Sequence, residues 1–334
     1  MNITEKKHPQ KTHLNFLRCF KQLSSYTRRF ASDFFWAYRT VFHSHTIGYQ
    51  RRGRFVMRTV LNLGPSAFWF RFMRSSYLNG VAANDPSLIE AIHRPFFDRT
   101  VNASRRVLLL KSHFESLYSI FGPLQTGEMM VGARMPLCHL VGKNGEAFAV
   151  NLFRGDAFKR EGGVTLELSF ENHSLLFLTF TLVDYDDEIL IKVGGIQSNK
   201  GDTRDQVRDA THALHGIQPR LLLIEALRAI ASRINCTKIE CVGKENHIHK
   251  AWRYRFKKTF SAEYDQLWRL AGGKENRKGN FDIPATVEEK SIDARPSNKR
   301  SEYRRRSVLL HAMRHQVEMT MQGTRVYQCA LEVA

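Results

Sequence analysis

The chain is poor in the features that usually assign a protein quickly. Its five cysteines, Cys19, Cys138, Cys236, Cys241 and Cys329, include no Cys-x-x-Cys pair and are odd in number. Neither a disulfide framework nor a zinc site is therefore indicated, and a reducing cytosol is the expected setting. Long apolar runs are missing as well: the most apolar early stretch, Leu61 to Met73, is short and contains Arg71, which excludes a bilayer-spanning helix there. Lys6, His8, Lys11, Arg18 and Lys21 interrupt every apolar segment that could serve as a signal peptide, so none is expected. Gly-x-Ser-x-Gly, the Walker loop and His-Glu-x-x-His do not occur, nor does a repeat or low-complexity tract. Acidic side chains are scarce near the N-terminus, where residues 1–60 hold twelve Lys and Arg against only Glu5 and Asp33.

What the chain has is positive charge. Over 334 residues, 51 Lys and Arg outnumber 32 Asp and Glu, for a net +19. With 43% hydrophobic residues the protein can bury a large core beside a smaller helical lobe. The uneven placement of the excess predicts an interaction surface rather than general solubility. The expected partner is an anionic membrane surface, bound peripherally. An acidic protein or RNA is the alternative, and the sequence carries no signal for oligomeric state.

Aromatic and apolar residues recur at helical spacing from about Leu14 to Phe72, among them Phe16, Phe20, Leu23, Phe30, Phe34, Phe35, Tyr38 and Phe42. Pro86 then marks the start of a predicted helix over Ser87–His93, and residues 1–100 read as a basic helical lobe. Arg106 to Lys111 fits a helix or a strand equally well. Short β-type runs follow over 138–141, 147–152, 164–170, 175–183 and 188–194, separated by polar and glycine turns such as Lys143-Asn144-Gly145 and Gly162-Gly163. Helices are predicted over 203–214 and 220–234, a strand over 238–242 and a further helix from about His249. An antiparallel meander followed by strand–helix alternation predicts an α+β fold with a mixed sheet flanked by helices. Residues 274–298 read as a polar loop, and the basic run Lys299–Arg306 leads into a last helix.

The segment most like a site is His215-Gly216-Ile217-Gln218-Pro219-Arg220, downstream of Gly194-Gly195-Ile196-Gln197. A glycine turn opening into a helix presents unpaired N–H groups and partial positive charge, which suits a phosphate. Pro219 fits the first helical position, and Arg220 adds a cation. A Gly-Pro helix start without any ligand is the plainer reading. Glu263, Tyr264 and Asp265 form a polar trio between Phe260 and Trp268, open to two readings: catalysis, or capping of a helix beginning at Gln266. His212, His215, His247 and His249 lack the spacing of a zinc site, and the cysteines lack a companion His for a thiol nucleophile.

This arrangement resembles the acyl-coenzyme A element of GNAT-type acyltransferases, in which a central strand splays from its neighbour and a glycine loop holds the pyrophosphate at a helix N-terminus. The resemblance implies acyl-coenzyme A as cofactor, held by Gly194, Gly195, Gln197, Gly216, Gln218, Arg220 and Asn246. It also implies Tyr264 as proton donor to the departing thiolate, and Asp265 or His215 as proton acceptor. The chain departs from the GNAT pattern in having a single glycine over 215–219 and in Pro219, which lacks an N–H. It divides on this reading into residues 1–100, a GNAT-like core over 101–273, and a C-terminal part over 274–334.

The chain also resembles the VirK/YbjX proteins of Gram-negative bacteria. The matching stretches are Ser112-His113-Phe114 with Phe121-Gly122, Gly194 to Gln197, Ala213 to Arg220, Glu263 to Trp268 and Lys299 to Arg306. This resemblance implies a virulence or envelope role, including surface-protein localisation and resistance to cationic antimicrobial peptides. It implies no reaction and no catalytic residues.

Overall fold

The computed structural model describes residues 10–43, 48–185, 188–199, 203–254, 263–288 and 291–332, with the backbone alone at 10–25, 253 and 323–332. The chain divides into two compact units, Met1–His93 and Arg94–Ala334.

In the first unit, α1 (Gln10–Val41), α2 (Tyr49–Leu61), α3 (Leu63–Ser75) and α4 (Leu78–Asn84) bury an aromatic core. Phe55 is its centre, its ring centroid 5.5 Å from Phe42 and 5.9 Å from Phe70. Trp69 is buried and donates its indole N–H to the Leu88 carbonyl at 3.1 Å. The helix expected over Ser87–His93 is instead two 3-10 turns, Pro86–Leu88 and Ala91–His93. Asp85 caps the first by accepting from the Ser87 N–H, and a segment this short closes 3-10 turns more readily than a full α-helix.

The second unit opens with α5 (Ala103–Met130), which settles the ambiguous stretch near Arg106 as helix. It is two helices joined at a kink, because Gly122 adopts φ 74° and Pro123 follows. Five antiparallel strands come next: β1 (Met135–Val141), β2 (Ala147–Phe153), β3 (Val164–Phe170), β4 (His173–Tyr185) and β5 (Glu188–Ser198). The β3–β4 hairpin turns at Glu171 and Asn172, both with positive φ, as a two-residue hairpin requires. After α6 (Arg204–Ala213) and α7 (Pro219–Arg233), β6 (Lys238–Cys241) pairs with β5 in parallel. Then come α8 (Tyr264–Leu270), β7 (Lys274–Glu275), β8 (Phe281–Pro284) and α9 (Arg300–Glu332). Among the described residues the strands form one sheet in the order β1-β2-β3-β4-β5-β6-β8-β7.

This is the expected α+β arrangement, a mixed and mostly antiparallel sheet flanked by helices after a helical N-terminal region. Three local expectations change. The strand ending at Gly194 runs on to Ser198, because β4 stays paired with it past a bulge at Gly194. Where a helix was expected from His249, the chain makes 3-10 turns at Ile248–Lys250 and Trp252–Tyr254. The polar segment 274–298 contains β7 and β8, whose Phe281 and Ile283 are buried.

The long α9 packs on α7 and along β1. Gln316 donates to the His139 carbonyl and accepts from the His139 N–H, both at 2.9 Å, and Thr320 donates to the Leu137 carbonyl. These bonds satisfy the outer edge of β1, which would otherwise be a template for strand pairing.

Candidate functional site

The centre of the site is a fork in the sheet. β5 and β6 pair over Ile191–Val193 and Ile239–Cys241, and Val242 N–H reaches the Val193 carbonyl. Beyond this point β5 continues to Ser198 with no β6 partner. A bulge at Gly194 lies at the divergence, since Thr179 pairs with Gly195 and Phe180 with Val193.

Glu161, from the β2–β3 connection, is buried against this bulge. A side chain at Gly194 would collide with its backbone carbonyl, and one at Gly195 with its carboxylate. The two glycines thus provide room for Glu161, a close approach that only a residue without Cβ permits. Gln197 Nε2 donates to Glu161 Oε1, while His249 Nε2 lies 3.6 Å and His247 Nε2 3.8 Å from the same oxygen. Oε2 has no hydrogen-bond partner among the described residues. Burial raises the Glu161 carboxyl above its usual range, against the opposing influence of His249 and Gln197.

Tyr264 begins α8 and is 2% exposed. Its ring stacks on Trp268 at 5.8 Å, and its hydroxyl accepts from the Ile196 N–H at 3.3 Å. A Cβ on Gly195 would lie 3.1 Å from this hydroxyl, so Tyr264 and Glu161 converge on the same backbone position. Burial, then the nearby Glu161, hold the phenol well above its ordinary value, so it stays protonated. His247 is driven down to about 3 by burial and by His249, and is neutral.

A second feature lies at the start of α7. His215 and Gly216 both have positive φ, 53° and 81°, which turns the chain from α6 into α7. Gln218 precedes the helix in an extended conformation and Pro219 occupies its first turn. A cleft of about 940 Å³ opens here, lined by Lys143, Arg208, Arg220 and Arg305 together with His212 and His215, and by Glu302 as its acid. Glu302 is engaged by Arg306, whose Nε also donates to the His215 carbonyl at 2.6 Å. The His215 imidazole lies below its ordinary value through burial and the charges of Arg305, Lys143 and Arg306. Burial disfavours charge of either sign, whereas the repulsion from Arg305, Lys143 and Arg306 reflects a positive potential that favours an anion. Arg220 links the two features, because it lines the cleft and its charge also acts on Tyr264.

The residues named from sequence therefore fall into three places. His215, Gly216, Gln218 and Arg220 come together at the cleft. Gly194, Gly195, Gln197 and Tyr264 gather around Glu161. Asp265 and Asn246 belong to neither group. Asp265 accepts from the Lys244 N–H at 2.8 Å, and Asn246 donates to Asn280 and to the Lys278 carbonyl within a buried network that includes Asp98 and Glu240. Sequence reasoning missed Glu161 and the cleft cations Lys143, Arg208 and Arg305. The signal for Glu161 was a carboxylate placed directly before the doublet Gly162-Gly163. Gly163 makes room for His113 and Gly162 for Phe180.

Comparison with known proteins gives the family. Residues 45–319 match the family described as "Protein of unknown function (DUF535)". The chain is 31% identical over 278 residues to the uncharacterized protein YbjX of Escherichia coli K12, covering 81% of this chain and 84% of that one. An uncharacterized protein of Haemophilus influenzae Rd is 24% identical over 227 residues, covering 67% and 72% of the two chains. A mutant form of a cAMP-binding acyltransferase from Mycobacterium smegmatis is similar in structure at 11% identity and a TM-score of 0.30, covering 66% of this chain and 65% of that one. The chain belongs to the DUF535 family, the VirK/YbjX group that its motifs resemble.

Proposed function

We propose that the second unit transfers an acyl group from a coenzyme A thioester to a nucleophilic acceptor. The observation that carries this reading is the buried Glu161, its Oε2 without a partner, meeting the protonated Tyr264 at the sheet fork. The cleft at α7 supports it with four cations and a helix start, a setting that fits the phosphates of such a donor. In the proposed reaction the acceptor's amine or hydroxyl loses its proton to Glu161 and bonds to the thioester carbonyl carbon. The carbon–sulfur bond then breaks, and Tyr264 supplies the proton that leaves a free thiol. A carboxyl raised above its ordinary value is a stronger base for the first step, and a phenol held protonated can supply the second. The family resemblance supports placing this activity in an envelope-linked or virulence-linked process, such as resistance to cationic peptides.

A second reading is a non-catalytic basic protein that holds membrane headgroups, RNA or an acidic protein on its cationic surface, favoured over a coenzyme A site by Pro219, which offers no N–H to a pyrophosphate at the helix start. Calorimetric titration with acetyl-coenzyme A and a long-chain analogue tests the first reading, together with thiol release by the wild type and by Glu161→Gln. Saturable heat, and thiol release that the variant loses while it still binds, is the expected outcome. Absence of heat at millimolar ligand would contradict both binding and transfer. Equal release by the two proteins would leave the binder reading.

A further inference from the structure

We propose that the solvent face of α2 in the first unit is a docking surface for an anionic lipid bilayer. Residues 34–84 contain no Asp or Glu, and their charge consists of seven arginines: Arg39, Arg51, Arg52, Arg54, Arg58, Arg71 and Arg74. Within α2 only Phe55 and Thr59 are buried. At about 100° per residue, the opposite face presents Tyr49, Val56, Met57, Val60 and Leu61 as an apolar stripe in which Gln50 is the one polar side chain. The side chains are well out in water, with Tyr49 90%, Val60 64% and Leu61 73% exposed. Leu63 and Phe68 of α3 are exposed as well.

The same helical arithmetic puts Arg54 and Arg58 on one flank of the stripe and Arg52 on the other. Arg52 holds its guanidinium 6.0 Å from the Tyr49 ring and 5.8 Å from the Phe42 ring. Arg51 lies on the side turned toward its own unit, paired with Glu90 at 2.9 Å. An amphipathic helix whose apolar residues face outward, bordered by arginines on both sides, matches a membrane interface: the stripe enters the acyl boundary while the long basic stems reach the headgroup phosphates. Charge selects the occupant. A second copy of this face would set arginines against arginines, and a nucleic acid would leave the apolar stripe in water.

Flotation of the full chain with vesicles of mixed phosphatidylglycerol and phosphatidylcholine, and of phosphatidylcholine alone, tests this. The wild type is expected to float with the anionic vesicles, to float less with the neutral ones, and to lose part of its binding in high salt. The double variant Val60→Glu, Leu61→Glu replaces exposed residues, so it should keep its circular dichroism and melting temperature. It should nevertheless lose at least about tenfold in vesicle binding. Arg54→Glu with Arg58→Glu should abolish the preference for anionic lipid. Wild type that stays unbound with anionic vesicles would overturn the proposal, as would flotation unchanged in both variants. A wild-type dimer dissolved by Val60→Glu, Leu61→Glu would also overturn it, by giving this face to a second copy.

Discussion

His113 shows how single residues set the protein's response to pH. It is fully buried, its Nδ1 accepts from the Leu182 N–H at 3.1 Å, and burial with the charge of Arg154 drives its pKa from 6.5 down to about 3. His247 is lowered to the same value. The unfolded chain takes up these protons near 6.5 and the folded protein only near 3. Stability is therefore constant above the upper value and falls as pH drops between the two, by up to about 1.4 kcal/mol per pH unit for each group. Glu161 acts with the opposite sign: its folded value is raised, so it costs stability as pH climbs out of the ordinary carboxylate range. Urea unfolding between pH 7 and pH 5, roughly the upper part of this window, should show declining stability in the wild type. His113→Gln should be less stable at neutral pH yet flatter across the window, and Glu161→Gln should be steeper. A wild type as stable in mild acid as at neutrality would contradict the burial of neutral imidazoles.

At the scale of elements, Arg228 joins three of them. From the middle of α7 its guanidinium donates to Glu225, to the Pro284 carbonyl at the end of β8 at 3.0 Å, and to the Ala271 carbonyl after α8 at 2.6 Å. Glu225 also receives Arg314 of α9 at 3.0 Å. Arg228→Ala would strand the buried Ala271 carbonyl and the partly buried one of Pro284 and leave Glu225 without its buried partner, and should cost about 3 kcal/mol, measurable as a lowered urea midpoint; a loss within experimental error would contradict this role. The elements themselves were unequally legible in the sequence. The alternation of Val164–Phe170 matched β3 residue for residue, and Pro219 marked the start of α7. α5 was obscured because its buried residues run onto several faces and Gly122-Pro123 interrupts its period. β8 was obscured because four residues between polar loops carry too little pattern, and only their pairing with β6 makes them a strand. His249 carried no signal for a 3-10 turn over a helix, since the decisive contact is the His249 N–H to His247 Nδ1 within the loop. Glu161 was illegible for a related reason: 36 residues separate it from Gln197 in the chain, and no spacing rule joins them to His247 and Tyr264.

At the scale of the molecule, the positive charge divides by chemistry. In the first unit arginines border exposed apolar side chains, a combination suited to a lipid surface. In the second, Lys143, Arg208, Arg220 and Arg305 line a cleft at a helix start, and the charge of Arg220 also acts on the buried Tyr264, a combination suited to a phosphorylated substrate. Among the described residues no helix is long and apolar enough to cross a membrane. In the proposed reaction the cleft binds the phosphates of the acyl donor whose thioester reacts at the fork. The most direct test is calorimetric titration of acetyl-coenzyme A into the wild type, Arg220→Glu and Glu161→Gln. The predicted result is saturable binding by the wild type and by Glu161→Gln, with affinity at least about tenfold weaker for Arg220→Glu, as loss of a charge-assisted phosphate contact requires. A silent wild type, or an Arg220→Glu that binds as tightly as the wild type, would contradict it.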